Sequence, residues 1–343
     1  MNLFDYVRPQ TLAEAVAAGS EPGAAYLAGG TNLLDLMKIG VARPGKVVDI
    51  TRLPGLDRIE PLDGGGFRIG AMVRNADLAR HAEFAAAFPA VAEALLSGAS
   101  PQLRNAATVG GNLLQRTRCS YFQDPLSACN RREAGAGCDA LEGVNGGHAI
   151  LGWTGACIAT HASDFCVPLA ALDAVIEIEG PAGRREASMS DLIALPGASG
   201  PGGPTLAAGE LITALRLPAE GAAYRGHARY LKLRERTSYA FALVSAAAML
   251  DIRDGRIRSA RLALGGVAAR PWRAAEAETT LLDTVPDDIG FARAASAALD
   301  GAEPSGDNAH KIELARRVLT RALSLAAAGT PGQMPALPAS VFA

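Results

Sequence analysis

Ala28-Gly29-Gly30-Thr31-Asn32-Leu33-Leu34 is echoed later in the chain by Thr108-Val109-Gly110-Gly111-Asn112-Leu113-Leu114. Each motif sets a Gly-Gly pair just before what reads as the first turn of a helix. Backbone N–H groups there have no helical partner, and the local dipole favours an anion. Glycine lets the backbone approach a phosphate closely. Two such loops suit the two phosphates of a dinucleotide. The spacing is not G-x-G-x-x-G, so the Rossmann device is excluded. A pair of ordinary turns is the alternative. It is weaker for the pair than for either alone, because Thr and Asn recur in both.

Working outward, residues 11–18 and 31–39 read as helices, the latter capped by Thr31 or Asn32. Residues 24–28 and 47–50 read as strands. This is a small α/β unit over residues 1–55. A second unit is expected over 56–223. It has strands at 67–73, 174–178 and 211–217, an Ala-rich helical region at 78–96 broken at Pro89, a loop-rich stretch at 98–114 and a surface loop at 196–204. A cysteine-rich insertion lies at about 115–160 within it. The third unit, 224–330, has strands at 228–233, 241–252 and 257–264, with Asp254-Gly255 as a hairpin turn. Helices follow at 274–281, 290–299 and 311–328. In the last, Ile312, Ala315, Leu319 and Ala322 share one face. The predicted fold is α+β: a two-part α/β domain, then a C-terminal α+β domain with an antiparallel sheet and helices. The tail, 331–343, is expected to dock loosely.

A chain of 343 residues exceeds the size at which one core keeps growing, so several domains are the default. The net charge is −2, and no basic run carries interleaved aromatics, which argues against a nucleic-acid partner. No apolar run is long enough to span a bilayer. Residues 1–6 show no basic region followed by an apolar stretch, so the chain reads as cytoplasmic, with export to the periplasm open through a signal-bearing partner.

Cys119, Cys129, Cys138, Cys157 and Cys166 are the only cysteines, confined to one stretch of the chain. The odd count is against a complete disulfide framework, and the clustering favours a metal or redox site. His148 and His161 read as loop histidines. No Ser–His–Asp set and no paired carboxylates emerge, so no catalytic residue is assigned. Trp153 and Trp272 read as packing residues.

The two glycine motifs, with Phe4-Asp5-Tyr6, Ser163-Asp164, Gly209-Glu210-Leu211-Ile212 and Tyr230-Leu231-Lys232 in order, resemble the FAD-binding medium subunits of the molybdenum hydroxylase and xanthine dehydrogenase family. The resemblance runs to about residue 328. It implies that Tyr26, Leu27, Ala28, Gly29, Gly30, Thr31, Asn32, Leu33 and Leu34 wrap the FAD pyrophosphate, completed by Thr108, Gly111 and Asn112. It implies that Asp164 bonds a polar part of the flavin or ribityl chain, that Ile212 packs near the ring, and that Lys232 places a charge beside it. It implies partners: a large subunit with the molybdenum cofactor and a small subunit with [2Fe–2S] clusters. Electrons would reach the FAD from those clusters and leave to a terminal acceptor.

The spacing Cys119-x9-Cys129-x8-Cys138-x18-Cys157 resembles an insertion in the flavin subunit of bacterial aldehyde oxidoreductases that carries a [4Fe–4S] cluster. Structural zinc is the other reading, although its usual C-x2–4-C pairs are absent. Cys166, followed by Val167-Pro168-Leu169, is expected outside the cluster as a small hydrophobe. Two rivals remain: a self-sufficient flavin oxidase or reductase, which needs a base beside the flavin that the sequence does not offer, and a non-catalytic scaffold stapled by its cysteines.

Overall fold

In the computed structural model, which describes residues 1–335 and 337–340, the first unit is a three-stranded parallel sheet. Asp5–Val7 and Ala24–Leu27 flank Lys46–Asp49, with Tyr6 opposite Val47 and Tyr26 opposite Val48. The helix Leu12–Gly19 starts on a capping box in which Thr11 and Glu14 satisfy each other's backbone N–H groups. The helix Leu33–Lys38 follows the first Gly-Gly pair, and Gly30, at φ 73°, adopts a left-handed conformation that suits glycine.

The second unit is a five-stranded sheet, wholly antiparallel, in the order Ile59–Pro61, Phe67–Gly70, Leu211–Leu217, Val175–Gly180, Gly183–Ala187. Its central strand arrives late in the chain. The helices Asn75–Arg80, Pro89–Ser97 and Cys166–Ala171 contribute to the largest apolar core, which also takes in Phe67, Phe84 and Phe88. The strand expected to reach residue 73 stops at Gly70. Beyond it the backbone leaves the register, and the Ala71 carbonyl accepts from Gly110 N at 2.9 Å. The stretch expected to be loop-rich at 98–114 holds two short helices, Pro101–Arg104 and Val109–Leu113, capped by Ser100 and Thr108.

The third unit pairs Ala228–Leu233, Val244–Arg253, Arg256–Gly265 and Trp272–Arg273 antiparallel. Asp254 and Gly255 both have positive φ, 53° and 69°, as a two-residue hairpin turn of the observed hand demands. The helices Ala275–Thr280, Asp288–Ala297 and His310–Ala327 cover one face, with Ala315, Leu319 and Ala322 fully buried. The tail departs from expectation. Ala339 is almost fully buried, its carbonyl accepts from Lys232 N at 2.8 Å, and its N–H donates to Glu93 at 3.0 Å. Buried Glu93 also receives Arg229 and Tyr230 N, so a charged acceptor with several donors to satisfy draws the tail in. No helix among the described residues is long and apolar enough to cross a membrane.

Candidate functional site

The two Gly-Gly loops meet. A side chain at Gly29 would collide with the Ala106 carbonyl, and one at Gly110 would press on Ala71. Arg116 N donates to Asn32 Oδ1 at 3.0 Å, tying the chain after the second motif to the first. Gly111 N bonds the Thr108 hydroxyl at 3.2 Å, and a Cβ on Gly111 would otherwise meet open space. That space is a cavity of about 960 Å³, walled by residues from all three units, including Thr31, Asn32, Asn75, Gly111, Asn112, Asp164 and Lys232. Asn112 Oδ1 accepts from Ser163 Oγ at 2.7 Å and Gln115 Nε2 at 2.6 Å, which fixes its amide.

Two amide atoms on this wall, Asn32 Nδ2 and Asn75 Oδ1, are buried without a partner. One is a donor and the other an acceptor. Unpaired buried polar atoms are costly, so they call for a polar ligand. A dinucleotide fits the cavity by chemistry and by the open backbone at Gly111. Tyr26 and Ile212 stand elsewhere. Tyr26 donates from its hydroxyl to the Gly209 carbonyl at 2.9 Å, and Ile212 is buried in the main core, off the cavity wall. Of the first motif, Thr31 and Asn32 reach the wall, with Asp35 beyond them.

Asp164 and Lys232 form a buried pair, Nζ to Oδ2 2.8 Å, and the Tyr230 hydroxyl donates to Asp164 Oδ1 at 2.6 Å. Burial and the adjacent carboxylate hold the Tyr230 phenol protonated, well above its ordinary pKa. The charge of Lys232 is therefore locally balanced. His161, read from the sequence as a loop residue, lies on the cavity wall. Its Nδ1 accepts from Ser163 N at 3.4 Å, and burial, then the charge of Arg131, pushes its pKa down to about 4. Nothing in its local sequence marks it, nor Asn75, as part of the site.

Cys119, Cys129, Cys138 and Cys157 gather beside the cavity, and Cys119 lines it. Cys129 and Cys138 pair as a backbone bridge. The Cys157 sulfur accepts from Arg131 Nε at 3.1 Å and Ala159 N at 3.4 Å, and His148 Nε2 lies 3.2 Å from the Cys119 sulfur. Burial, and then the neighbouring cysteines, raise the pKa of Cys119 and Cys138, while backbone N–H groups oppose the rise. Lys311, fully buried, donates to the carbonyls of Gly147, His148 and Gly266 at 2.7–2.8 Å and so clamps the His148 loop to the last helix. Cys166 is buried in the main core, its thiol pushed up to about 12 by burial.

Residues 2–220 match the FAD binding domain in molybdopterin dehydrogenase, and residues 229–326 match the CO dehydrogenase flavoprotein C-terminal domain. The aldehyde oxidoreductase FAD-binding subunit of Escherichia coli is 47% identical over 96% of this chain and 99% of its own length. The carbon monoxide dehydrogenase medium chain of Afipia carboxidovorans is 28% identical over 95% of this chain and 97% of its own. Among solved structures, CO dehydrogenase from Oligotropha carboxidovorans superposes with a TM-score of 0.75 at 27% identity, covering 96% of this chain and 99% of that one. Quinoline 2-oxidoreductase from Pseudomonas putida gives 0.73 at 26% identity, covering 95% and 98%. The chain belongs to the FAD-binding medium subunits of the molybdenum hydroxylase family.

Proposed function

We propose that this chain is the electron-transferring subunit of a heterotrimeric aldehyde oxidoreductase, holding FAD in the cavity between its three units. The observation that carries the reading is the cavity itself, lined by Thr31 and Asn32 of the first motif and Gly111 and Asn112 of the second, and presenting the unpaired Asn32 and Asn75 amides. Thr31, Asn32, Thr108, Gly111 and Asn112 hold the pyrophosphate, and Asp164 and Lys232 stand beside the flavin and ribityl part. The FAD supplies the redox chemistry when bound. The chain's own residues position it, exclude water and hold a proton at the Tyr230 hydroxyl. The likeness to medium chains of CO dehydrogenase and to an aldehyde oxidoreductase subunit supports partners with a molybdenum cofactor and [2Fe–2S] clusters.

The finer reading is a [4Fe–4S] cluster on Cys119, Cys129, Cys138 and Cys157. A single zinc ion draws its thiolates to about 2.3 Å from one point. Among the described residues no three such donors converge on a single ion. Cys119 and Cys138 each lie close enough to Cys129 and Cys157 to feel their charge, which supports one shared neighbourhood for the four thiols. Charge agrees: Arg131 reaches the Cys157 sulfur, and Arg116 Nε is buried without a partner near Cys129. Half-buried cations without carboxylate partners favour a nearby anion, which thiolate-ligated clusters are. Hydrogen bonds to the sulfurs would tune its potential.

Tagging the full chain in cells expressing its neighbours tests the reading. The expected product is a complex with two further chains, molybdenum, iron and releasable FAD. The Gly111→Leu variant, whose side chain would occupy the cavity, is expected to yield the same complex without flavin. A lone chain that oxidises aldehyde at full rate, or a Gly111→Leu complex with its full flavin, would contradict it.

A further inference from the structure

The Lys and Arg side chains on the cavity wall each have a hydrogen-bond partner, with one exception. Lys232 is held by Asp164, Arg104 donates to the Gly98 carbonyl at 2.6 Å, and Arg236 donates to the Tyr239 carbonyl at 2.9 Å. Arg118, also on the wall, makes no side-chain hydrogen bond or ion pair among the described residues. Its Nε is buried and unpartnered, and its guanidinium stacks over the Phe241 ring at 5.0 Å. A partly dry guanidinium with its donors unspent is unfavourable until an anion meets it.

Position says which anion. Arg116 N is tied to Asn32 Oδ1, and Arg118 follows two residues on, about 7 Å of extended chain at most. The side chain therefore works near the Asn32 end of the cavity. There Asp35, also on the wall, adds a negative charge that Arg118 senses without pairing to it. Arg116 turns the other way: it stacks over Phe122 at 5.3 Å and senses Cys129 and Arg131, so it serves the cysteine side. A doubly charged pyrophosphate beside Asp35 needs a cation, and the glycine loops provide none.

We infer that Arg118 is a further cofactor-binding residue, whose free donors take the FAD pyrophosphate at the Asn32 end of the cavity. The inference rests on the FAD reading of that cavity. It makes pyrophosphate recognition in this chain partly a side-chain matter, added to the backbone loops, and it couples the cofactor to the segment that carries Cys119.

The test uses the complex stripped of flavin and titrated with FAD, ADP and riboflavin. ADP carries the pyrophosphate without the flavin, and riboflavin the reverse. Arg118→Met is expected to weaken FAD and ADP by about 10- to 100-fold, the worth of a hydrogen bond to a charged group, and to leave riboflavin unchanged. Arg118→Lys, keeping the charge and losing the fork, is expected to recover part of the loss. General damage to the fold would weaken riboflavin as well. Equal loss of ADP and riboflavin, or no loss of ADP, overturns the inference while FAD binding by the parent still stands. A parent that binds no FAD overturns the cavity reading and the inference with it.

Discussion

Lys232 and Asp164 show a residue-scale balance of charge on the cavity wall. Each is nearly out of water, and each answers the other's charge, with Tyr230 donating to the second carboxylate oxygen. Removing one partner strands the other. Lys232→Met is expected to cost about 3–5 kcal/mol, because the lone buried carboxylate must be carried or protonated. Adding Asp164→Asn should restore part of it, since the stranded charge is then gone. Thermal unfolding of the two variants checks the sign, and a double variant no more stable than Lys232→Met would refute the pairing. At this scale the sequence was legible where a motif exists. Gly29, Gly111 and the Ser163-Asp164 pair stand out by type and order. Asn75, His161 and Arg118 do not, since their roles come from which wall the fold turns them toward. Ile212 illustrates the converse: a landmark in order along the chain, it faces the core.

Among the elements, the hairpin at Asp254-Gly255 and the last helix were legible because turn chemistry and helical period are local signals. The centre of the five-stranded sheet was not. Leu211–Leu217 pairs with Phe67–Gly70 and Val175–Gly180 across long stretches of chain, and no local pattern encodes that choice. The tail was misjudged for the same reason. Its Pro-rich composition reads as loose, yet its Ala339 completes the bonds of Glu93 and of the Lys232 backbone. The tail thus steadies the strand that carries Lys232. Glu93→Gln is expected to weaken the Arg229 pair and loosen the tail, and removing residues 331–343 should expose the Lys232 backbone. Both are expected to lower flavin retention on dialysis and to lower the thermal midpoint. Unchanged flavin retention in the truncated chain would detach the tail from the cofactor site.

For the whole molecule, three units each bring one wall to a single cavity, and a cysteine-rich stretch lies beside it. The last helix reaches across through Lys311 to hold the loop of His148, so the third unit braces both the cavity and that stretch. The composition, with a near-neutral charge and no basic run, argued against a nucleic-acid partner and named no other. The cysteine clustering reads as a redox or metal site; among the described residues no three donors are grouped to hold a metal ion, so metal analysis decides between zinc and a cluster. The most direct measurement is flavin, iron, sulfide and zinc content of the parent and its five single cysteine-to-alanine variants. The account expects releasable FAD and about four irons per chain in the parent, the content of one cubane cluster. It expects the iron lost on changing Cys119, Cys129, Cys138 or Cys157 and kept on changing Cys166. Zinc in place of iron, or iron lost with Cys166 and retained without Cys157, would contradict it.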